Sequence, residues 1–136
     1  MRISEINFVT LFALSLLWAC GAEEEISIQP ESCSPLYSPT YENVYANTLQ
    51  QTCGQAGGAC HALEGGQGGF IIKDIETTYS DLFAEARVQA GAPAESEIVK
   101  RMESRDPGLL MPPGTALSPA ELCAVETWIA NGATRE

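Results

Sequence analysis

Apolar and polar positions divide this chain into three regimes. From Ile6 to Trp18 it is almost continuously apolar; behind Arg2, and too short to make a comfortable mature membrane helix, the run has the make-up of an export signal. From Gly21 to Pro39 no period is present. Glu23, Glu24 and Glu25 and the prolines at 30, 35 and 39 make an acidic, solvated tether. From Thr40 apolar residues return at helical spacing. Tyr41, Val44, Tyr45 and Leu49 fall at i, i+3, i+4 and i+8, predicting an amphipathic helix that ends close to Cys53.

The remaining elements are short. Gly54 to Gly69 holds three Gly-Gly pairs and reads as a loop; Phe70-Ile71-Ile72 is a brief extended segment or the wall of a pocket. Tyr79, Leu82, Phe83 and Ala86 suggest a helix from about Thr77 to Arg87. Ser96 is placed to cap a short helix that carries Ile98, Val99 and Met102 on one side and a Glu97–Arg101 pair at i, i+4. Residues 105–114 contain Pro107, Pro112 and Pro113 and cannot be helix, so Met111 is presented from a stiff loop. The last helix is the clearest: Ser118 caps, Pro119 enters, Glu121 completes a capping box, Leu122, Val125, Trp128 and Ile129 form the stripe, and Asn131-Gly132 stops it. The expectation is an all-α domain over residues 40–136, behind a signal peptide (1–19) and a tether (20–39).

Charge and cysteines narrow the picture. Leu17-Trp18-Ala19-Cys20 looks like a lipobox, in which Cys20 is cleaved and acylated where the apolar run stops. Removal of Arg2 and Glu5 with the signal leaves the net charge at −11. That acidity argues against nucleic acid and anionic headgroups as partners and favours a basic surface on any charged partner. Five cysteines are an odd count for an exported chain, and assigning Cys20 to lipid makes the rest even. Cys33 and Cys123 meet as a disulfide if the first and last helices pack together. Cys53 with Cys60 is the alternative pairing, and it excludes thioethers at those sulfurs.

His61, the only histidine, directly follows Cys60. A Cys-His dipeptide with an earlier cysteine is how a c-type haem is held: two thiols add to the vinyls and the imidazole takes the iron. The usual spacing is Cys-x-x-Cys-His, whereas here six residues separate Cys53 from Cys60. With one imidazole, the sixth ligand is sulfur, water or nothing. Met111 on its proline-fixed loop is the stronger sulfur, since the spacing of Met102 to Ile98 and Val99 makes it core. A zinc site from Cys53, Cys60, His61 and Cys123 has suitable ligand types, but adjacent Cys60 and His61 rarely reach one tetrahedral ion. Thioredoxin-like chemistry lacks its Cys-x-x-Cys, a phosphate loop lacks its Gly-Lys-Ser/Thr, and Asp74, Asp81 and Asp106 read as solvated charge rather than triad members.

The order of these features resembles small class I c-type cytochrome domains, in particular lipoprotein-anchored single-haem modules. The similarity runs from about Pro39 to Gly132. It lies in the helix into Cys53, Cys60-His61, Gly-Gly-Phe-Ile-Ile, the 98–104 segment, Leu110-Met111-Pro112-Pro113-Gly114, and a capped final helix with Trp128-Ile129-Ala130-Asn131-Gly132-Ala133. The resemblance implies packed N- and C-terminal helices, one haem c joined through Cys53 and Cys60, and axial ligands His61 and Met111. It implies an electron carrier at the cell envelope that acts on a redox protein partner and is not an enzyme. The competing reading is a haem-free structural or interaction lipoprotein of the same fold, held by Cys33–Cys123 and Cys53–Cys60 bridges.

Overall fold

The computed structural model describes residues 32–55, 60–62 and 66–136; Cys20, the signal stretch and most of the tether lie outside the described residues. Helix α1 (Tyr41–Asn43) runs directly into a π-helical segment (Val44–Gln55). A 3₁₀ turn (Gln67–Gly69), α2 (Ile75–Ala84), a second 3₁₀ turn (Pro93–Glu95), α3 (Glu97–Met102) and α4 (Pro119–Ala130) follow. No strand occurs among the described residues, so the domain is all-α as its periodicity predicts. No helix among them is long and apolar enough to cross a membrane.

The first helix departs from the sequence expectation in its pitch. Its buried positions after Tyr41 are Val44, Thr48, Leu49 and Gly54, a spacing of four to five residues that suits i→i+5 bonding better than a 3.6 period. The wider turn keeps Thr48 and Leu49 inward together, although Thr48 is polar. Its Oγ1 donates to Glu121 Oε1 on α4 at 2.9 Å and meets the Tyr37 hydroxyl at 2.5 Å, so burial leaves no unpaired hydroxyl.

Helix ends also differ from the expected ones for identifiable reasons. Asp74, read as solvated charge, caps α2: its carboxylate accepts from the Thr77 N–H at 2.9 Å and the Thr77 hydroxyl at 2.8 Å, bonds that hold its pKa below the usual carboxylate value. The helix therefore starts at Ile75, not Thr77, and ends at Ala84, leaving Arg87 beyond it. Ser96 sits at the start of α3 but makes no cap bond; its hydroxyl accepts from the Gln89 N–H at 2.9 Å and donates to the Ala92 carbonyl at 3.0 Å. Ser118 does cap α4 through the Glu121 N–H at 3.1 Å. The return half of the expected box is replaced, because the Glu121 carboxylate serves Thr48 and Thr52 instead. Gly132, at φ 95°, ends α4 in the left-handed region where glycine carries no Cβ penalty.

The core forms where α1 and the π-helical segment meet α4. Tyr41 and Trp128 are each 1% exposed, with ring centroids 5.4 Å apart, and Tyr79 meets Tyr41 edge-on at 4.9 Å. Each ring keeps its polar tip satisfied. The Tyr41 hydroxyl donates to Ile75 O at 2.7 Å, Tyr79 to Ala133 O at 3.0 Å, and the Trp128 indole N–H to Thr134 O at 2.8 Å. Val44, Leu82, Val99, Val125 and Ile129 fill the remainder. Burial pushes the Tyr41 phenol pKa well up.

Cys33 and Cys123 are joined by a disulfide with Cα atoms 5.8 Å apart, while Cys53 and Cys60 are free thiols. The stretch just before Thr40, expected as the end of the tether, lies on α4: besides the disulfide, the Leu36 N–H donates to Ala120 O at 2.8 Å. Among the described residues, attachment to α4 is thus already in place at Cys33. The bridge closes 90 residues of sequence, a loop for which the chain-entropy argument gives about 4 kcal/mol.

Replacing both Cys33 and Cys123 by Ala should lower the unfolding free energy by ~2–4 kcal/mol in urea titration. Peptide mapping without reductant should recover the two cysteines as one crosslinked pair; free alkylation of both before reduction contradicts the assignment. Trp128→Ala should be the costlier core change, at about 3–5 kcal/mol by the same titration, because it empties the centre of the aromatic cluster.

Candidate functional site

The π-helical segment carries Cys53 on its inward side, partly buried against the core. Gly54 follows it, buried against Ile72: a Cβ at this position would stand 3.2 Å from Ile72 Cγ2, so even alanine requires Ile72 to shift. The chain returns beside Cys53, where the His61 N–H donates to the Cys53 carbonyl at 3.3 Å. The six-residue separation therefore does not hold these two apart in space. The Ile72 N–H donates to the His61 carbonyl at 2.6 Å and the Gln67 N–H to the Cys60 carbonyl at 2.8 Å, tying Cys60-His61 to the segment around Phe70.

The His61 ring is oriented as well as its backbone. Its Nδ1 lies 3.0 Å from the Phe70 carbonyl oxygen. A carbonyl only accepts, so Nδ1 carries the proton in this bond and Nε2 is left as the basic nitrogen. The Phe70 ring packs against the imidazole with centroids 5.4 Å apart. Orienting a ligand histidine through its other ring nitrogen is how such residues are fixed at metal centres.

His61 and Cys53 open onto a cleft of about 250 Å³, on whose lining Met111 also stands. Met111 arrives on a loop organised by Asp106, which the sequence reads as solvated charge. The Asp106 carbonyl accepts from the Leu109 and Leu110 N–H groups at 2.9 and 2.8 Å, and its carboxylate accepts from the Gly108 N–H at 2.8 Å. The Met111 N–H then donates to the Arg101 carbonyl at 3.0 Å, fastening the loop to the end of α3; the Met111–Pro112 peptide is cis. Met102 reaches the same cleft from α3 but is 5% exposed and belongs to the core cluster. Leu49, Leu82 and Ile98 supply apolar wall, and Arg87, Glu97 and Arg101 supply charge.

These residues suit a c-type haem on chemistry. A thiol, an imidazole whose Nε2 has no hydrogen-bond partner among the described residues and a thioether share one largely apolar cleft, and Cys60 adjoins it through His61. Arg87 contributes a buried Nε with no hydrogen-bond partner among the described residues, a donor suited to a carboxylate. A zinc reading fares worse. Cys123 is spent in the disulfide, and the described residues contain no group of three or more His, Cys, Asp or Glu placed to hold an ion. Phe70, as the acceptor for His61, and Arg87 are the site residues that sequence spacing does not pick out. The only signal for either is position: Phe70 ends the glycine loop, and Arg87 stands just past a helix end.

Burial pushes the Cys53 thiol up to about 12, with the negative charges of Glu121 and Cys60 adding to the effect. In haem-free protein the rate of Cys53 alkylation should therefore climb ~tenfold per pH unit from pH 8 to 11, where an ordinary thiol levels off above about pH 9. Mass spectrometry of timed iodoacetamide quenches reads this, and a plateau near pH 9 contradicts it.

No curated protein and no solved structure matches this chain. Residues 58–114 match the model of a family described as Planctomycete cytochrome C. The match takes in Cys60, His61, Phe70, Arg87, Met102 and Met111, stops short of Cys53 and α4, and covers less than half of the 136 residues. Together with the helical architecture, this similarity supports a cytochrome c-like domain.

Proposed function

We propose that this chain is a single-haem electron carrier, anchored at the cell envelope through lipid on Cys20, with Cys53 and Cys60 as thioether positions and His61 and Met111 as axial ligands. The observation that carries the reading is the His61 ring, held by the Phe70 carbonyl with Nε2 unengaged among the described residues, on a cleft shared with Cys53 and Met111. A bound haem supplies one-electron iron chemistry, with thioether ligation favouring the ferrous state. The rest falls to the protein. Phe70 fixes the imidazole tautomer, Leu49, Leu82 and Ile98 keep water from the cleft, and the Arg101 carbonyl holds the Met111 backbone in place.

In this reading the one imidazole is held by Phe70 on one nitrogen and serves as a ligand through the other. Carriage of electrons between proteins is thus a better use of the site than turnover. With a net charge of −11, the fitting partner presents a basic surface, and their association should slow as ionic strength rises.

Expression beside a c-type maturation system should yield one haem per chain by pyridine haemochrome assay. His61→Ala should disturb the Soret region or prevent incorporation. Met111→Ala should keep covalent haem but lose the weak sulfur-to-iron band at the red end of the spectrum. Met102→Ala should keep that band while losing about 2–5 kcal/mol of stability through lost packing. Colourless wild-type protein, with a Cys53–Cys60 crosslink on mapping, would instead establish the haem-free interaction lipoprotein. The anchor is tested separately, since labelled fatty acid should enter the wild-type chain and not Cys20→Ala.

A further inference from the structure

We propose that the Cys33–Cys123 bridge is a thiol–disulfide exchange site, attacked at the Cys33 sulfur by a dithiol reductant, and that its opening releases a strap, residues 33–39, from α4. The inference is independent of whether haem is attached. The two ends of the bridge stand in unlike surroundings. Cys33 is exposed, as are Ser34, Pro35 and Leu36 after it, whereas Cys123 is 1% exposed within α4. Access decides which sulfur of a disulfide is attacked, and here it selects Cys33. Charge does not bar the approach. The chain as a whole carries a net charge of −11, yet Ser32 to Tyr41 contain no charged residue, so an incoming thiolate meets no carboxylate from the strap itself.

The partner's thiolate forms a bond to Cys33 Sγ as the Cys33–Cys123 bond breaks, and Cys123 leaves as a thiolate that takes up a proton. The Thr127 hydroxyl, one turn along α4 and 3.9 Å from Cys123 Sγ, is placed to donate to the charge that forms there. The partner's second thiol, deprotonated, then attacks its own bonded sulfur and frees Cys33. Two electrons pass from the dithiol, which is oxidised to a disulfide, to the bridge, which is reduced; the two protons lost by the dithiol are matched by those gained at Cys33 and Cys123.

Opening has a mechanical result because the bridge is the strongest tie on the strap. Besides it, the Leu36 N–H donates to Ala120 O at 2.8 Å, the Tyr37 hydroxyl meets Thr48 Oγ1 at 2.5 Å, and Asn43 Nδ2 donates to Ser38 O at 3.0 Å. Of the strap residues only Tyr37 and Pro39 are even partly buried. Ordering one residue's backbone costs more than one net hydrogen bond contributes, and these few bonds serve seven residues. Without the bridge the strap therefore leaves the surface. The domain does not follow it, since the buried core starts at Tyr41 and the strap only flanks it through Tyr37. Thr48 also keeps its bond to Glu121, so no buried hydroxyl is left unanswered. The bridge thus decides where the chain leaves the domain: beside Cys123 of α4 when closed, at the start of α1 when open.

The test uses the mature chain under native conditions. Reduced glutathione, quenched in acid, should leave a mixed disulfide that peptide mapping places on Cys33 and not on Cys123. Dithiothreitol should open the bridge at a rate that does not change with urea below the unfolding transition, because attack on an exposed sulfur needs no unfolding. Chymotrypsin should then cut after Tyr37 about tenfold faster than in the oxidised chain, while helical circular dichroism stays as it was. Cys33→Ser, in which the bridge cannot form, should be cut at the fast rate with no reductant present; if that variant does not fold, the reduced wild-type chain decides. A mixed disulfide on Cys123, opening that keeps step with unfolding, or an unchanged cutting rate at Tyr37 after reduction each overturns the proposal and leaves the haem reading standing.

Discussion

The contact between the π-helical segment and α4 is the constraint from which the rest hangs. It has an apolar half, Tyr41 against Trp128 with Val44, Val125 and Ile129 around them, and a polar half, the Glu121 carboxylate receiving the Thr48 and Thr52 hydroxyls. A buried threonine in a helix interior is tolerable only when its hydroxyl is answered, and Glu121 reaches it because α4 begins where Ser118 caps it. Cap, carboxylate and threonine are thus one arrangement, and it fixes how far along the segment Cys53 comes to rest.

From Cys53 the site is assembled by main-chain bonds more than by side-chain packing. The Cys53 carbonyl holds the His61 N–H, the His61 carbonyl holds Ile72, and the Phe70 carbonyl, two residues earlier, returns to the His61 ring. On the far side the Arg101 carbonyl holds Met111. Carbonyls impose direction without demanding a particular side chain. A short glycine-rich and proline-rich connection can in this way orient an imidazole and a thioether without a regular element of its own.

Much of this was legible in the chain. The four helical stretches, the Ser118-Pro119 entry and the Asn131-Gly132 exit follow from periodicity and cap chemistry, and His61, Cys53 and Met111, singled out on residue type and spacing, do line one cleft. What stayed hidden has a physical cause in each case. A π-helical pitch is invisible to a 3.6-residue template when the buried positions include Thr48 and Gly54, which carry no apolar signal. Ser96 and Glu121 were read by local rules, but their partners, Gln89 and Thr48, are set by tertiary packing. Asp74 and Asp106 look like surface charge because a carboxylate that caps or turns the chain is still exposed to water. Arg87 could not be found by period, since it acts from the first irregular residues after a helix.

The four described cysteines divide into a bonded pair and two thiols, and the division has a chemical consequence. Oxidation acts on accessible thiolates, so the surroundings of each sulfur decide how readily it reacts. Cys33 lies on an exposed strip and is bonded to the buried Cys123 of α4. Cys53 stands on the cleft lining, its proton held far above neutral pH, and a thiol that does not ionise neither attacks a disulfide nor coordinates a soft metal. The fold thus sets Cys53 apart from the bonded pair, on the cleft lining with its thiol held in the neutral form.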